Sequence, residues 1–244
     1  MTTSNPSGAS PMESLPMQSP EIDYRSTWAV GVDIGQARDP TAVVIVERIT
    51  GVHARANAPH YIGPVPRYRP TYRIRHLERL PLGTPYPVQV RAVVDRLERA
   101  PLDKLKPRIL LDYTGVGRPV FDMFRQAGLL RGEAITITGG RETTETEFGF
   151  SVPKVTLVSR LQALLHSGDL RIPRALPDAA VLTRELQEFR VKYTDAGNAT
   201  FNAREGEHDD LVLALAIAVF GLSESTCATA ESLREYSHRQ FFSR

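Results

Sequence analysis

Apolar residues along this chain follow two periods, and the alternation between them predicts an α/β fold. Short runs of β-branched and other apolar residues predict strands, beginning with 28–33 and 41–47. Stretches with an apolar residue at every third or fourth position predict helices between those runs. The remaining predicted strands are 71–80, 106–112, 133–138 and 169–172, with a hairpin over 192–201 and helices over 87–100, 120–127, 155–167, 177–191 and 209–220.

Composition divides the chain into three parts. Residues 1–26 are mostly Ser, Pro, Thr, Gly and Met, which predicts a disordered N-terminal tail. Residues 27–222 contain every predicted helix and strand and are expected to form one folded domain, followed by a polar C-terminal tail over 223–244. Within the domain, 51–70 is predicted to be irregular and 139–150 to be polar and flexible.

The overall composition is typical of a soluble globular protein. The formal net charge of +2 is compatible with a nucleic-acid partner but does not by itself indicate one. The single cysteine, Cys227, excludes an intrachain disulfide and a cysteine zinc site, which fits a reducing, cytoplasmic setting. The apolar run 211–222 is shorter than the ~20 residues of a membrane span, so it predicts a buried helix. No secretion signal is expected, because no basic-then-apolar leader opens the sequence.

Acidic residues occur in matching settings at three points of the chain. Asp33 ends the first predicted strand, and Asp112 ends a later strand before a glycine-rich turn. Asp209 and Asp210 open an alanine-rich helix that is expected to lie close against the sheet. A charge at the end of a buried strand is unfavourable unless metal ligation or phosphate chemistry stabilises it. The alternative is local, since Asp33 could cap a turn and Asp209 or Asp210 could cap the helix.

If these carboxylates converge in space, bound cations would be needed to make their closeness tolerable. Two like charges at about 4 Å repel by several kcal/mol at low effective dielectric. Mg²⁺ is usually held by a few carboxylates, which leaves positions for water and a phosphate. Two such ions about 3.5–4 Å apart can activate water and stabilise the leaving oxygen of a phosphodiester. That chemistry needs acidic residues on a rigid sheet and at a helix terminus, as in this sequence.

Four short segments, taken in order, resemble the nuclease domain of phage terminase large subunits. They are 31–35 with 39–41, then 111–117, 152–154 and 208–216, and the resemblance extends over 28–222. It implies an RNase H-like fold, in which a central mixed β-sheet is flanked by helices on both faces. It also implies a two-ion endonuclease for double-stranded DNA, in which Mg²⁺ or Mn²⁺ is ligated by Asp33, Asp112 and one or both of Asp209 and Asp210.

Basic residues supply secondary candidates. Lys154 could contact a phosphate or tune the site, and His208 could shuttle protons, although a surface lysine and a structural histidine are common alternatives. An arginine-dense loop and strand could follow a phosphate backbone, or could be a solvated edge strand protected by charge. These arginines are Arg67, Arg69, Arg73, Arg75 and Arg79.

The packaging enzymes of that family also carry an ATPase domain, whose phosphate loop, G-x-x-x-x-G-K-S/T, does not occur in this sequence. DNA translocation is therefore not expected of this polypeptide alone, which could be an excised domain, a split subunit or a free-standing nuclease. The expected partners are double-stranded DNA and a separate packaging ATPase or portal protein, without a membrane. The expected location is the cytoplasm, that of the host cell if the gene belongs to a phage.

Three other functions remain open at the level of sequence. Residues 32–35 also resemble the first phosphate loop of sugar kinases and actin-like ATPases, but those proteins need two RNase H-like domains. A Holliday-junction resolvase of the RuvC type would share the fold and the ions and would prefer four-way junctions. An inactive RNase H-like module would bind DNA or a portal protein without cleaving DNA.

Overall fold

A computed structural model describes residues 22–35, 39–53, 68–115, 117–188, 190–193, 199–202 and 209–224. Within these ranges the chain forms ten strands and six helices. The strands are β1 (Ile22–Asp33), β2 (Ala42–His53), β3 (Thr71–Arg79), β4 (Arg108–Asp112), β5 (Gly132–Thr138), β6 (Thr144–Thr146), β7 (Gly149–Pro153), β8 (Leu170–Arg171), β9 (Arg190–Tyr193) and β10 (Ala199–Asn202). The helices are α1 (Tyr86–Leu97), α2 (Leu102–Leu105), α3 (Gly117–Gln126), α4 (Lys154–His166), α5 (Ala179–Glu188) and α6 (Asp210–Glu224).

Eight of the strands form one mixed sheet in the order β6-β7-β5-β4-β1-β2-β3-β8. Strands β1, β2 and β3 are antiparallel neighbours, whereas β1, β4, β5 and β7 run parallel to one another. Parallel neighbours end at the same side of a sheet, so Asp33, Asp112 and Thr138 lie along one edge, here called the carboxyl edge. The predicted hairpin is confirmed as the separate β9–β10 pair, and its predicted turn lies outside the described residues.

Helices cover both faces of the sheet, which confirms the predicted α/β arrangement. Along β1, Val30 and Val32 belong to an apolar cluster with α1 and α3, while Ala29 belongs to a second cluster with α4, α5 and α6. This division follows from the pleat, because successive side chains of a strand point to opposite faces. The buried second half of β1 is therefore covered by helices on both faces of the sheet.

Helix α6 is the most deeply buried helix, and glycine and alanine residues allow it to lie directly on β1. Ala214 and Ala218 are fully buried. A Cβ atom on Gly31 would come within 2.1 Å of the carbonyl oxygen of Ala214 and within 2.7 Å of the amide nitrogen of Ala218. No side chain fits in that space, so the predicted close contact between the alanine-rich helix and the sheet is confirmed. No helix in the described ranges has both the length and the apolarity to cross a membrane.

Two sequence predictions about local structure need correction. Strand β1 begins at Ile22 rather than at Trp28, because its first residues pair with the far end of β2 as far as His53. Residues 139–150 are not flexible throughout, since they contain β6 and the start of β7, and β7 pairs with β5. The three residues of β6 are exposed at the edge of the sheet, where polar side chains are tolerated and no apolar pattern marks the strand.

Candidate active site

Asp33 is the last residue of β1, and Gly35, two residues later, is held by a hydrogen bond to Thr41. The hydroxyl of Thr41 accepts a hydrogen bond of 3.0 Å from the N–H of Gly35 and donates one of 2.7 Å to Oε1 of Gln89. A Cβ atom on Gly35 would lie 2.1 Å from the carbonyl oxygen of Asp39, so the backbones of these two residues are in direct contact. These contacts hold the backbone two residues after Asp33.

Asp112 ends the neighbouring strand, β4, and lies beside Asp33 at the carboxyl edge. Its Oδ1 accepts a hydrogen bond of 2.8 Å from the N–H of Thr114. A Cβ atom on Gly117, the first residue of α3, would come within 2.3 Å of the carbonyl oxygen of Asp112, so α3 starts directly against the strand end. Because β1 and β4 are parallel neighbours in register, the carboxyl groups of Asp33 and Asp112 come within hydrogen-bonding reach of each other.

The two aspartates at the start of α6 have different surroundings. Asp210 is buried, with 4% of its surface exposed, and its charge acts on Asp33 more strongly than that of Asp209. Asp209 is partly exposed, and its Oδ2 lies 3.2 Å from Nζ of Lys154, the first residue of α4. The sequence alone did not separate these two aspartates, whereas the structure sets Asp210 with Asp33 and pairs Asp209 with Lys154.

Burial and crowding of like charges dominate the electrostatics of this acidic cluster, which comprises Asp33, Asp112, Asp209 and Asp210. Burial raises the pKa of Asp33 well above its ordinary value, and the charges of Asp112 and Asp210 raise it further. Burial also raises the pKa of Asp112, although hydrogen bonds from Thr114 lower it in part. The raised pKa values of Asp33 and Asp112 are expected for a buried pair of carboxyl groups, because two full charges so close together repel each other.

The donor set of the acidic cluster suits a hard divalent cation. Carboxylate oxygens are the ligands that Mg²⁺ and Mn²⁺ prefer, and a cation would offset both the burial and the charge repulsion that raise the pKa of Asp33. In the part of the chain that the structure describes, no group of three or more His, Cys, Asp or Glu side chains already surrounds one metal position. Asp33 and Asp112 nevertheless form a close buried pair with Asp210 beside them, and a cation could neutralise their combined charge.

A fourth buried acid, Glu185 of α5, borders the cluster and was missed by the sequence predictions. Its Oε2 accepts hydrogen bonds from the N–H groups of Leu211 at 3.0 Å and Val212 at 3.2 Å, in the first turn of α6. Burial raises the pKa of Glu185 to about 7, and the nearby charge of Asp210 contributes to that increase. The available signal was a charged residue three positions after Leu182, on the apolar face of the predicted helix 177–191.

Two of the predicted DNA-binding arginines do not border the acidic cluster. Arg75 forms an ion pair with Glu47 and lies over the ring of Trp28, which packs on the α1 and α3 side of the sheet. Arg73 faces the same side, because it is paired with Glu47 across the β2–β3 ladder. Asp33 faces the opposite side, toward α6, so the sheet separates these arginines from it.

The other predicted basic residues are distributed over the molecule. Arg69 forms an ion pair of 2.7 Å with Asp169, and Arg79 ends β3 at the carboxyl edge, where it approaches α5. Lys154, a secondary candidate in the sequence, lies beside the acidic cluster. Two further candidates lie outside the described residues, namely Arg67 and His208.

One family model and several solved structures match this chain. Residues 96–221 match the family model described as the terminase RNaseH-like domain. The large terminase nuclease of thermophilic phage G20c superposes with a TM-score of 0.50 and 21% identity, covering 84% of this chain and 85% of that one, which shows a shared fold. The same nuclease with bound magnesium gives 0.49 and 22%, covering 81% and 84%. The g2p (large terminase) nuclease domain of bacteriophage SPP1 with bound Mn gives 0.45 and 13%, covering 79% and 84%. None of the curated proteins matches this chain significantly.

Proposed function

Because this chain belongs to the terminase RNaseH-like domain family, we propose that it is a metal-dependent endonuclease that cleaves double-stranded DNA. The observation that carries the proposal is the buried acidic cluster, in which Asp33 and Asp112 end adjacent parallel strands and Asp210 opens α6. Without a cation or a proton, so many buried carboxylates would be strongly unfavourable.

In the proposed site, Asp33, Asp112 and Asp210 hold two divalent ions, Mg²⁺ or Mn²⁺, with Asp209 as a further ligand. Such ions, when bound, activate a water molecule and stabilise the leaving 3′ oxygen of the phosphodiester. The protein contributes by holding its carboxylates on β1, β4 and α6 before the substrate arrives, so that little reorganisation is needed. Association with a separate packaging ATPase or a portal protein is proposed from family membership alone.

The proposed reaction is tested by incubating the protein with supercoiled plasmid and separating the products on a gel. Cleavage is expected with Mg²⁺ or Mn²⁺, and none is expected when EDTA removes the ions, since carboxylates alone do not activate water strongly enough. Adding excess Mn²⁺ to the EDTA-treated protein should restore cleavage. Absence of cleavage with every divalent ion would contradict the proposal, and a strong preference for four-way junctions over plasmid would favour a resolvase.

We further propose that Lys154 compensates part of the acidic charge and faces the DNA phosphates. Its ammonium group lies 3.2 Å from Asp209, and its charge lowers the pKa of Asp112 against the effect of burial. The Lys154→Gln substitution is expected to slow cleavage roughly tenfold, as for other side chains that orient metal ligands. Initial rates measured over a range of DNA concentrations check this.

The matched control for that experiment is Lys104→Gln, which removes an exposed lysine from α2. Helix α2 precedes the start of β4, at the end of the sheet opposite the carboxyl edge. The control should cleave DNA at the wild-type rate. Equal cleavage rates for the two variants would show that Lys154 has no role in the reaction.

A further inference from the structure

The N-terminus of α6 presents backbone N–H groups that the helix itself does not satisfy. The first N–H groups of any α-helix lack intrahelical acceptors, and the side chain of the preceding residue commonly accepts a hydrogen bond from one of them. In α6 that preceding residue is Asp209, whose carboxylate is instead paired with Lys154 at 3.2 Å. The sequence left open that Asp209 or Asp210 caps the helix, but the N–H groups at the start of α6 donate their hydrogen bonds to a different residue.

That partner is Glu185, which comes from α5 and lies 26 residues before Leu211. A single oxygen of its carboxyl group, Oε2, accepts the hydrogen bonds from Leu211 and Val212, and the residue is only 6% exposed. A carboxyl group at this position also interacts favourably with the positive end of the helix dipole. The cap of α6 is therefore supplied by a different helix.

We propose that Glu185 is a positioning residue for the active site, because its cap holds the start of α6, and with it Asp209 and Asp210, beside Asp33. If an aspartate capped the helix, its carboxylate would point back at the backbone N–H groups rather than toward Asp33. This role of Glu185 rests on the proposed nuclease function, since the position of Asp210 matters only if its carboxylate takes part in that site.

Glu185 also connects α6 to the carboxyl edge of the sheet. Its Oε1 lies 3.6 Å from Nη1 of Arg79, the last residue of β3. The backbone N–H of Arg79 donates a hydrogen bond of 3.3 Å to Oδ2 of Asp178, just before α5. Arg79 pairs with Ala42, which in turn pairs with Asp33. Glu185 thus bridges the element that carries Asp210 and the strands next to Asp33, where misplacement by about 1 Å can cost a large factor in rate.

Two substitutions distinguish positioning from direct chemistry at Glu185. Glu185→Gln keeps a carbonyl oxygen at the same distance along the side chain, so it can still accept both hydrogen bonds from α6. Glu185→Asp keeps the carboxylate but shortens the side chain by one methylene, which withdraws the oxygen from those N–H groups. If Glu185 positions the site, Glu185→Gln should be tolerated and Glu185→Asp should not. If Glu185 is a metal ligand or a general base, the reverse is expected.

The readouts are Mn²⁺ affinity, measured by electron paramagnetic resonance, and the steady-state kinetics of plasmid cleavage. Glu185→Asp is expected to weaken Mn²⁺ binding roughly 10-fold or more, as substitutions behind metal ligands commonly do, and to lower kcat with little change in the KM for DNA. Glu185→Gln is expected to stay within about threefold of wild type in both measurements, because the cap persists. The proposal would be overturned if Glu185→Gln lost as much Mn²⁺ affinity and activity as Glu185→Asp, or if neither variant differed from wild type.

The matched control is Glu133→Gln, which acts at the other end of the same helix. Glu133 forms two hydrogen bonds of 2.6 Å with Arg108, which donates one of 2.8 Å to the carbonyl oxygen of Gly221 in α6. This variant should lose stability without losing Mn²⁺ affinity. If wild-type protein binds Mn²⁺ but does not cleave DNA, the proposed function fails, and the Mn²⁺ affinities of the Glu185 variants still decide whether Glu185 positions the site.

Discussion

Replacing Asp33 by Asn is expected to abolish metal-dependent DNA cleavage while leaving the fold intact. The amide has nearly the shape of the carboxyl group, so packing beneath α6 is kept, but it lacks the charge that a divalent ion requires. Loss of at least roughly 10²–10³-fold in rate is expected, comparable with the loss of one preorganised electrostatic contact. Asp112→Asn should have a similar effect, because Asp112 holds the other half of the buried pair.

The measurement is the initial rate of plasmid cleavage in Mn²⁺, with circular dichroism to confirm that each variant is folded. Asp122→Asn is the matched control, since Asp122 is an exposed acid on α3 and its replacement should leave the rate unchanged. Full activity in Asp33→Asn or Asp112→Asn would contradict the proposed site directly. Full activity in the control alone would assign the effect to the acidic cluster.

The same Asp33→Asn substitution is expected to stabilise the protein when no metal is present. Burial and the charges of Asp112 and Asp210 raise the pKa of Asp33, which means that its ionised form is unfavourable in the folded state. Removing that charge should increase the free energy of unfolding at pH 8 by on the order of 1 kcal/mol. For a domain of this size that corresponds to an increase in Tm of roughly 2–4 °C.

The raised pKa of Asp33 also determines the direction in which stability changes with pH. A carboxyl group whose folded-state pKa is raised binds more protons in the folded than in the unfolded protein. The stability that Asp33 contributes is therefore fully present below its ordinary value of 3.8 and is lost as the pH rises through the raised folded-state value. In EDTA, the unfolding free energy of wild type should fall across that range, and that of Asp33→Asn should fall less steeply.

Urea unfolding in EDTA and in Mn²⁺ at several pH values measures both effects. Mn²⁺ should restore the stability of wild type at pH 8, because an ion that binds only the folded state stabilises it by mass action. It should stabilise Asp33→Asn much less, and Asp122→Asn should follow wild type throughout. A metal-free Asp33→Asn protein that is less stable than wild type at pH 8 would show that the acidic cluster is not under charge repulsion.

Together these two results would describe a site that is kept for function at a cost in stability. Such a trade-off is common where charged groups must be held close together for chemistry. The partly exposed Asp209 is compensated by Lys154, whereas the buried Asp210 lies among other acids.

Local patterns in the sequence were enough to predict most of the strands and helices and to single out the four aspartates of the acidic cluster as candidates. Periods of two and of about 3.6 residues are local properties of strands and helices, so they located the central strands and the buried helix α6. Asp33 and Asp112 could be recognised because each follows a buried strand and precedes a glycine turn. The family resemblance, carried by the same segments, is confirmed by the match over residues 96–221.

Which side chains come into contact could be seen only in the folded protein. Glu185 reaches α6 across 26 residues of sequence, and nothing in the spacing of acids near Asp210 indicates such a cap. The direction of Arg73 and Arg75 depends on the β2–β3 register, which includes an irregularity between Ile45 and Val46. These features arise from contacts between elements distant in the chain, whose pairing is set by the packing of the whole domain rather than by neighbouring residues.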